Sequence, residues 1–403
     1  MGYLSTWGYF MAVKRPIDKK EMVKEMVKCT QSAEYYLSTY GMVYHPKKGH
    51  VKFRLFDYQK EQLDSFQHNR FNIILKSRQT GISTLTAGYI AWLICFHSAK
   101  EIVVVADKQD NAQGFIRKIK TFITKTPAWM VPTLASDNKK SIELTNGSKV
   151  SAQATTGNAG RSASLSLLVI DEAAIVDTGK VDDLWASAYP TLSLGGAAII
   201  ISTPMGVGNW YHKQWQAAIN KESDFTPLIA HWTDNPIYGM DTNWVCQKCG
   251  NEQNHGRVNQ LKEPIPCDAC GKDYLLPTSP WYEEQKKQLG DPRKVAQELD
   301  MDFLGSGENV IREEYIREAE KNCKVPARIC GFDNNLWVWR EPEPLVEYLI
   351  VADVARGDGS DASGAHVLDI QRKEQVAEYR GKLPPDLFAK FLNDLGYEYN
   401  EAL

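Results

Sequence analysis

The chain has 403 residues and a nearly balanced charge, 47 Lys and Arg against 50 Asp and Glu, with a pI near 6.3. That length accommodates two or three domains with separate cores. The balance argues against a constitutive, non-specific nucleic-acid coat and leaves room for a protein that grips DNA under the control of another ligand. Apolar runs stop well short of the ~20 residues a bilayer span needs: Tyr89 to Phe96 is bounded by Gly88 and His97. No cationic, apolar leader opens the chain, so an intracellular protein without a membrane partner is expected. The opening MGYLST fits the loose N-myristoylation pattern, but the bulky Tyr3 fits it poorly.

Residues 17–40 read as one helix, with Asp18 as its cap and Met22, Val23, Met26 and Val27 on one face. Gly41 and Pro46 close it. Val51, Phe53 and Leu55 alternate as in a strand and lead to Phe56, Asp57, Tyr58 and Gln59. Gln59 is either a solvated amide or, ahead of a phosphate loop, a reader of the adenine edge.

Residues 71–84, FNIILKSRQTGIST, are an apolar run that ends in a small polar turn and passes at once into a helical pattern. Strand, tight turn and helix in that order cradle phosphates with backbone N–H groups and a helix N-terminus. Aligned on Gly81, the pattern G-x-x-x-x-G-K-[ST] has Lys76 in place of its first glycine and Ile82 in place of its lysine. A cation is therefore displaced to the front of the loop, with Arg78 two residues on. The nucleotide-binding set expected here is Lys76, Ser77, Arg78, Gln79, Thr80, Gly81, Ile82, Ser83 and Thr84, with the Ser83 hydroxyl placed for Mg²⁺. The plain alternative is a buried strand followed by an ordinary helix cap.

A strand is expected over 102–106 and a helix over 111–124, whose Arg117, Lys118, Lys120 and Lys125 form either a DNA-facing stripe or a solvated face. Asn146-Gly147 signals a hairpin turn, and the run TTGNAGRSAS carries Arg161. The strand at 165–170 ends in Asp171 and Glu172, either a strand end with two solvated carboxylates or, downstream of a phosphate loop, the two acids a Walker B site requires: one to hold Mg²⁺, one to deprotonate the attacking water. Another strand, 197–201, ends in Ser202 and Thr203, small hydroxyls suited to sensing a γ-phosphate. Strands alternating with helices imply a parallel sheet with ligands at its carboxyl ends, where Lys76, Asp171 and Ser202 all fall.

Cys246, Cys249, Cys267 and Cys270 form C-x₂-C-x₁₇-C-x₂-C, each pair followed by a glycine, Gly250 and Gly271. Two such pairs supply four thiolates to a tetrahedral zinc. A closed four-thiolate site has no open position for substrate, so the expected role is structural. The other four cysteines, Cys29, Cys95, Cys323 and Cys330, are scattered, as thiols of a reducing compartment are. Helix is expected over 290–302, a linker at Gly305-Ser306-Gly307, and a buried strand over 348–352 ending in Asp353, with Asp358 and Asp361 close behind.

Taken together, YYLSTYGMVYHPKKG, FDYQ, KSRQTGIST, LLVIDEAA, ISTPMG, VAQELDMDFLGSG and YLIVADVARG resemble the large terminase subunit of tailed bacteriophages. The resemblance runs over most of the chain, and displaced P-loop cations are a habit of that family. It implies an ATP-driven motor that packages DNA into procapsids, with ATP and Mg²⁺ as cofactors. Gln59 would contact adenine, Lys76 and Arg78 the phosphates, and Asp171 the Mg²⁺. Glu172 would be the catalytic base, and Ser202 with Thr203 the coupling motif. Arg161 would act across subunits in an assembled ring; its plain alternative is a mobile loop cation.

The family's second half is an RNase H-like, two-metal nuclease, and Asp353 matches its first carboxylate, a ligand for Mg²⁺ or Mn²⁺. Because the sequence ends at Leu403, before the next acid is expected, this polypeptide alone is expected to be no competent nuclease and to leave an exposed sheet edge. The expected fold is α/β: a P-loop NTPase with a mostly parallel sheet, a zinc-ribbon-like insertion and the truncated start of an RNase H-like domain. Expected boundaries are 1–50 (helical), 51–235 (ATPase core), 236–305 (zinc insertion and linker) and 306–403 (incomplete nuclease). Implied partners are double-stranded DNA, the portal protein, the small terminase subunit and further copies in a ring. The implied place is the host cytoplasm and, transiently, the portal vertex, not the mature virion. Two rivals are a helicase-like DNA-remodelling ATPase, which has no need of the Asp353 strand, and a zinc-stabilised DNA-binding module with a degenerate nucleotide site, for which Ile82 is the best argument.

Overall fold

The computed structural model describes residues 18–155, 164–176, 178–246, 248–253, 266–271, 275–307, 315, 319, 322–331, 334–356 and 361–402. It divides into two units, residues 1–310 and 311–403.

In the first unit Asp18 caps α1 (Lys19–Gln31), its carboxylate taking the N–H of Glu21. The single helix expected over 17–40 is instead two, because Ser32 adopts extended backbone and caps α2 (Ala33–Tyr40) by accepting the N–H of Tyr35. The break lets Cys29, Ala33, Tyr36 and Leu37 all reach the core. A hairpin follows, β1 (Met42–His45) with β2 (Gly49–Lys52). Phe53, expected to continue that strand, leaves the ladder and packs its ring edge-on against Phe122. Next comes α3 (Asp57–His68).

The central sheet is built from β3 (Phe71–Lys76), β4 (Glu101–Ala106), β5 (Leu134–Asp137), β6 (Ser141–Leu144), β7 (Lys149–Ala154), β8 (Leu167–Asp171), β9 (Ala197–Ser202) and β10 (Thr226–Ala230). Their order is β10-β3-β9-β8-β4-β7-β6-β5, parallel from β10 to β7 and antiparallel over the last two. The parallel strands read as unbroken apolar runs because both faces are covered. Ile74, Ile102, Val104, Val169 and Ile201 turn to the face that holds α4 (Ile82–Phe96) and α5 (Gln109–Lys125). Ile73, Leu75, Val103, Leu168 and Ile200 turn to the other, with α6 (Thr178–Ala188) and α7 (Trp210–Ile219).

Beyond β10, a small sheet of β11 (Asn243–Cys246), β12 (Glu252–Gln253) and β13 (Leu275–Thr278) carries the cysteine pairs. Then come α8 (Pro280–Leu289) and α9 (Pro292–Val295). The helix expected over 290–302 is only four residues of α-helix before it widens into a π-turn, residues 296–300, that ends on Met301 in left-handed backbone, φ 57°.

The second unit is an antiparallel sheet, in the order β14 (Arg328–Cys330), β15 (Leu336–Val338), β18 (Glu374–Gly381), β17 (Ser363–Asp369), β16 (Tyr348–Asp353). It has α10 (Pro385–Glu398) and its own core around Val338, Val367, Phe388 and Tyr399.

Candidate functional site

The parallel register brings the predicted strand ends into one row. Asp171 lies opposite Ile201, Ile201 opposite Ile74, and Ser202 opposite Leu75, one residue before Lys76. Lys76 is almost fully buried, and its Nζ donates to Glu172 Oε1 at 2.8 Å. Ser83 Oγ, in the first turn of α4, donates to Asp171 Oδ1 at 3.2 Å. Glu172 has left-handed backbone, φ 58°, which costs a non-glycine residue about 1 kcal/mol and reverses the chain immediately after β8. That reversal is held by β9: Ala173 N–H donates to Ile201 O at 3.1 Å and Ala174 N–H to Ser202 Oγ at 2.9 Å. Glu172 Oε2 and Thr203 Oγ1 are buried polar atoms with no hydrogen-bond partner among the described residues.

The turn from Lys76 to Gly81 is fixed from three sides. Ser77 N–H donates to Ala230 O at 2.9 Å, and Arg78 N–H donates to Glu298 O at 2.7 Å. The Ser77 hydroxyl points away from the loop mouth, donating to Leu299 O at 2.8 Å and accepting from Trp232 N–H at 3.2 Å. Thr80 Oγ1 likewise closes the loop on itself, donating to Ser77 O at 3.1 Å. Ile82 is 1% exposed and belongs to the core on the α4 face. Ser77, Thr80 and Ile82 thus build the loop, whereas Arg78 and Gln79 are exposed, and Gly81, Ser83 and Thr84 are half-buried. Gln79 and Gly81 have positive φ, 61° and 80°, as a loop that folds its N–H groups inward requires. The first turn of α4 leaves N–H groups without intrahelical partners, aimed along the same axis.

Gln59 is buried beneath this turn. Its Oε1 accepts the N–H of Phe56 at 3.1 Å and its Nε2 donates to Thr80 O at 3.1 Å, so both ends of the amide are engaged. Glycine stands at position 81 because its φ of 80° is left-handed, and a Cβ there would also meet Gln59 Nε2 at 2.9 Å.

Burial pushes the Asp171 carboxyl up to about 6, and the neighbouring Glu172 charge adds to the rise; Lys76, Lys118 and the Ser83 hydroxyl oppose it. Lys118 is exposed, as an outward basic stripe requires, and still lies within electrostatic reach of the site. Protein packed around its stem and the nearby Lys76 charge lower its ammonium pKa, opposed by Asp171 and Glu172. Lys120 is paired with Asp137. Arg161 lies outside the described residues.

The four cysteine sulfurs lie within 4.8 Å of one another, with Cys246 and Cys270 at 3.7 Å and Cys249 and Cys267 at 3.6 Å. A tetrahedral ion with ~2.3 Å bonds to sulfur sets its ligands about 3.8 Å apart, whereas a disulfide needs ~2 Å. The donor set fits a metal, and all four cysteines are free thiols. Each knuckle closes as its spacing predicts: Gly250 N–H donates to Cys246 O and Gly271 N–H to Cys267 O, both glycines at positive φ. In the second unit Asp353 ends β16 as an exposed edge residue, alongside the half-exposed Val351 and Val354. Asp358 lies outside the described residues. Among the described residues, the group of three or more metal-ligating side chains is the cysteine cluster.

The family model described as terminase large subunit, T4likevirus-type, N-terminal, matches residues 73–317. The chain belongs to this terminase family. The match takes in the loop after β3, Asp171 and Glu172, the Ser202 strand end and all four cysteines, and the membership supports a role as a DNA-packaging ATPase.

Among solved structures, the chain is similar to the large terminase ATPase domain of Thermus phage P74-26, with 17% identity over 62% of this chain and 95% of that one, TM-score 0.42. It is also similar to the large terminase of the HK97 bacteriophage, with 12% identity over 84% of this chain and 64% of that one, TM-score 0.49. For the large terminase of a thermophilic bacteriophage in complex with ADP, the figures are 9%, 86%, 74% and 0.43.

Sequence reasoning missed how the terminase loop is supported. Glu298 and Leu299, in the VAQELDMDF stretch, lend carbonyls to Arg78 and Ser77, and the Glu298 carboxyl is pushed up by burial against the pull of Arg78. Ser306 Oγ accepts the N–H of Gly206 at 3.0 Å, so the same stretch also holds the loop after β9. No local pattern distinguishes these carbonyls; only the tertiary path brings them there. No helix among the described residues is long and apolar enough to cross a membrane.

Proposed function

We propose that the cluster at the carboxyl ends of β3, β8 and β9 binds and hydrolyses ATP, and that the chain is the motor subunit that drives double-stranded DNA into a procapsid. The observation that carries this reading is the meeting of two pairs, Lys76 with Glu172 and Ser83 with Asp171, at neighbouring strand ends. Lys76 and Arg78 present cations to the phosphates at the loop mouth, where backbone N–H groups and the α4 N-terminus add partial positive charge. Ser83 and Asp171 would hold Mg²⁺, which when bound offsets the negative charge gathered on the transferring phosphoryl group. Glu172 accepts the proton of the attacking water, and its contact with Lys76 sets where that carboxylate points. Ser202 holds the N–H of Ala174, two residues beyond the base, so a shift at the end of β9 is carried to Glu172. Arg161 supplies transition-state charge to a neighbouring copy.

DNA, the portal protein and the small terminase subunit are the partners this role requires, in the host cytoplasm and at the portal vertex. The cysteine cluster holds a structural zinc. Asp353 is the first carboxylate of an RNase H-like site. Steady-state ATP turnover tests the central claim: Glu172→Gln retains ATP binding while turnover falls at least about a hundredfold. Unchanged turnover in that variant would refute the assignment.

A further inference from the structure

Each displaced cation of the loop after β3 has a carboxylate of its own, and the two pairs are built differently. Lys76 is almost fully buried and hydrogen-bonded to Glu172 at 2.8 Å. The Arg78 side chain is 58% exposed and meets Glu298 loosely, Nε to Oε2 at 3.9 Å. We infer that Glu298 is a positioning residue, which steers the Arg78 guanidinium so that its two terminal nitrogens face the phosphates of a bound nucleotide. The inference rests on the nucleotide reading of the loop and deepens it by naming what orients the exposed cation.

The acid is anchored where the cation is not. Glu298 has a side chain only 19% exposed and lies in the π-turn at 296–300. That turn is held from both sides: Glu298 O accepts the N–H of Arg78 at 2.7 Å, Leu299 O accepts the Ser77 hydroxyl at 2.8 Å, and Asp300 Oδ1 accepts the Tyr282 hydroxyl at 2.8 Å. Met301, which ends the turn, is buried in left-handed backbone. A π-turn fits one extra residue into a helix, an irregularity frequent at functional sites. Here it sets the carbonyl and the carboxylate of one residue against the same arginine. The contact also uses the near nitrogen of the guanidinium. An arginine approached at Nε keeps its terminal fork for a second partner, and that fork matches two phosphate oxygens. At 3.9 Å the carboxylate attracts the guanidinium without closing a hydrogen bond on it. An exposed arginine gives up rotamer freedom when it grips an anion, and a fixed carboxylate removes part of that loss beforehand. Lys76, Glu172 and Lys294 lie within electrostatic reach of the same carboxylate, so Glu298 belongs to the charge balance of the site. Its charge also repels incoming phosphates, so the sign of a substitution separates steering from repulsion.

The test uses the whole chain with Mg²⁺ and measures ADP and inorganic tripolyphosphate affinity by calorimetry, with thermal melting of each variant beside it. Glu298→Gln keeps the shape and the main-chain contacts and removes the charge; it weakens both ligands about tenfold. Glu298→Asp, which keeps the charge, retains most of the affinity. In an Arg78→Ala background Glu298→Gln no longer weakens binding, because there is no guanidinium left to steer. An acid that only held the fold would lower melting temperature and affinity alike in both backgrounds, and that result overturns the inference. Tighter binding in both backgrounds, the mark of simple repulsion, overturns it too, as does unchanged affinity in Glu298→Gln alone. In each of these cases the wild-type chain still binds both ligands and the nucleotide reading stands. A wild-type chain that binds neither overturns the nucleotide reading and the inference together.

Discussion

Lys76 and Ile82 divide the loop after β3 between charge and packing: Lys76 reaches Glu172, and Ile82 fills the core. The alignment on Gly81 shows a lysine moved from position 82 to position 76, and the structure supplies the reason that position 82 is closed to charge: Ile82 is buried in the core between α4 and the sheet. Lys76→Ala is expected to abolish ATP hydrolysis, by at least about a hundredfold. Ile82→Lys, far from restoring a conventional loop, is expected to destabilise the fold on the order of 3 kcal/mol by burying a cation without a partner. Chemical denaturation and turnover of the two variants check this, and improved turnover with unchanged stability in Ile82→Lys would contradict it. A second residue-scale expectation comes from His231, which looks unremarkable in the sequence. It is buried beside Ala230 and Trp232, both of which bond Ser77, and burial depresses its pKa from 6.5 to about 3. The folded state therefore refuses a proton that the unfolded state accepts below pH 6.5. Stability is complete above that pH and falls by up to about 1.4 kcal/mol per unit as the pH drops toward 3. Asp171 works in the opposite sense, its folded-state carboxyl being raised from 3.8 to about 6, so the difference between variants is the reading to take. His231→Gln is expected to lose less stability than wild type between pH 7 and pH 5; equal losses would mean that His231 does not titrate on unfolding.

At the scale of elements, periodicity located what local physics decides and failed where a distant partner decides. The strands at 102–106, 165–170 and 197–201 stand within two residues of their expected bounds, because a run buried on both faces must be apolar throughout. The stretch from 290 to 302 does not continue as a helix, because the carbonyls of Glu298 and Leu299 are diverted to Arg78 and Ser77 and the backbone widens to reach them. The cysteine knuckles were fully legible, since two C-x₂-C-G pairs constrain their own geometry. Cys246 ends β11 opposite Leu275 of β13, and Trp244 shares the small core with Cys246, Cys267 and Leu275. A metal held by the four thiols would pin this sheet, and its removal should unpair it. Wild type is expected to release one zinc per chain on thiol titration, and Cys246→Ser is expected to contain less than a tenth of that. Trp244 emission is expected to shift to the red in the variant, with the central sheet intact by circular dichroism. A metal-free wild type with unshifted emission would show that the four thiols need no ion.

At the scale of the whole molecule, the sequence pointed to a mostly parallel sheet but not to its order, because strand order is set by crossovers between distant partners, such as Thr226 of β10 beside Asn72 of β3. That order, β10-β3-β9-β8-β4, matters to function: it places the loop strand next to β9 and β9 next to β8, so the cation, the hydroxyl and the acids meet although each lies in a separate part of the chain. Whether Arg161 serves the cluster of its own chain or that of a neighbouring copy is testable. Arg161→Ala and Glu172→Gln are each expected to be inactive alone. If Arg161 acts in trans, mixing the two inactive chains at equal ratio rebuilds active interfaces wherever an Arg161→Ala chain contributes Glu172 beside a Glu172→Gln chain that contributes Arg161. Random mixing makes about a quarter of interfaces competent, so turnover under portal-stimulated conditions should recover to about a quarter of wild type. An arginine acting within its own chain gives no such recovery, because each site of the mixture would still lack one of its two groups. The recovery should also vanish on dilution below the concentration at which chains associate, since the shared interface, and no single chain, carries the complete site.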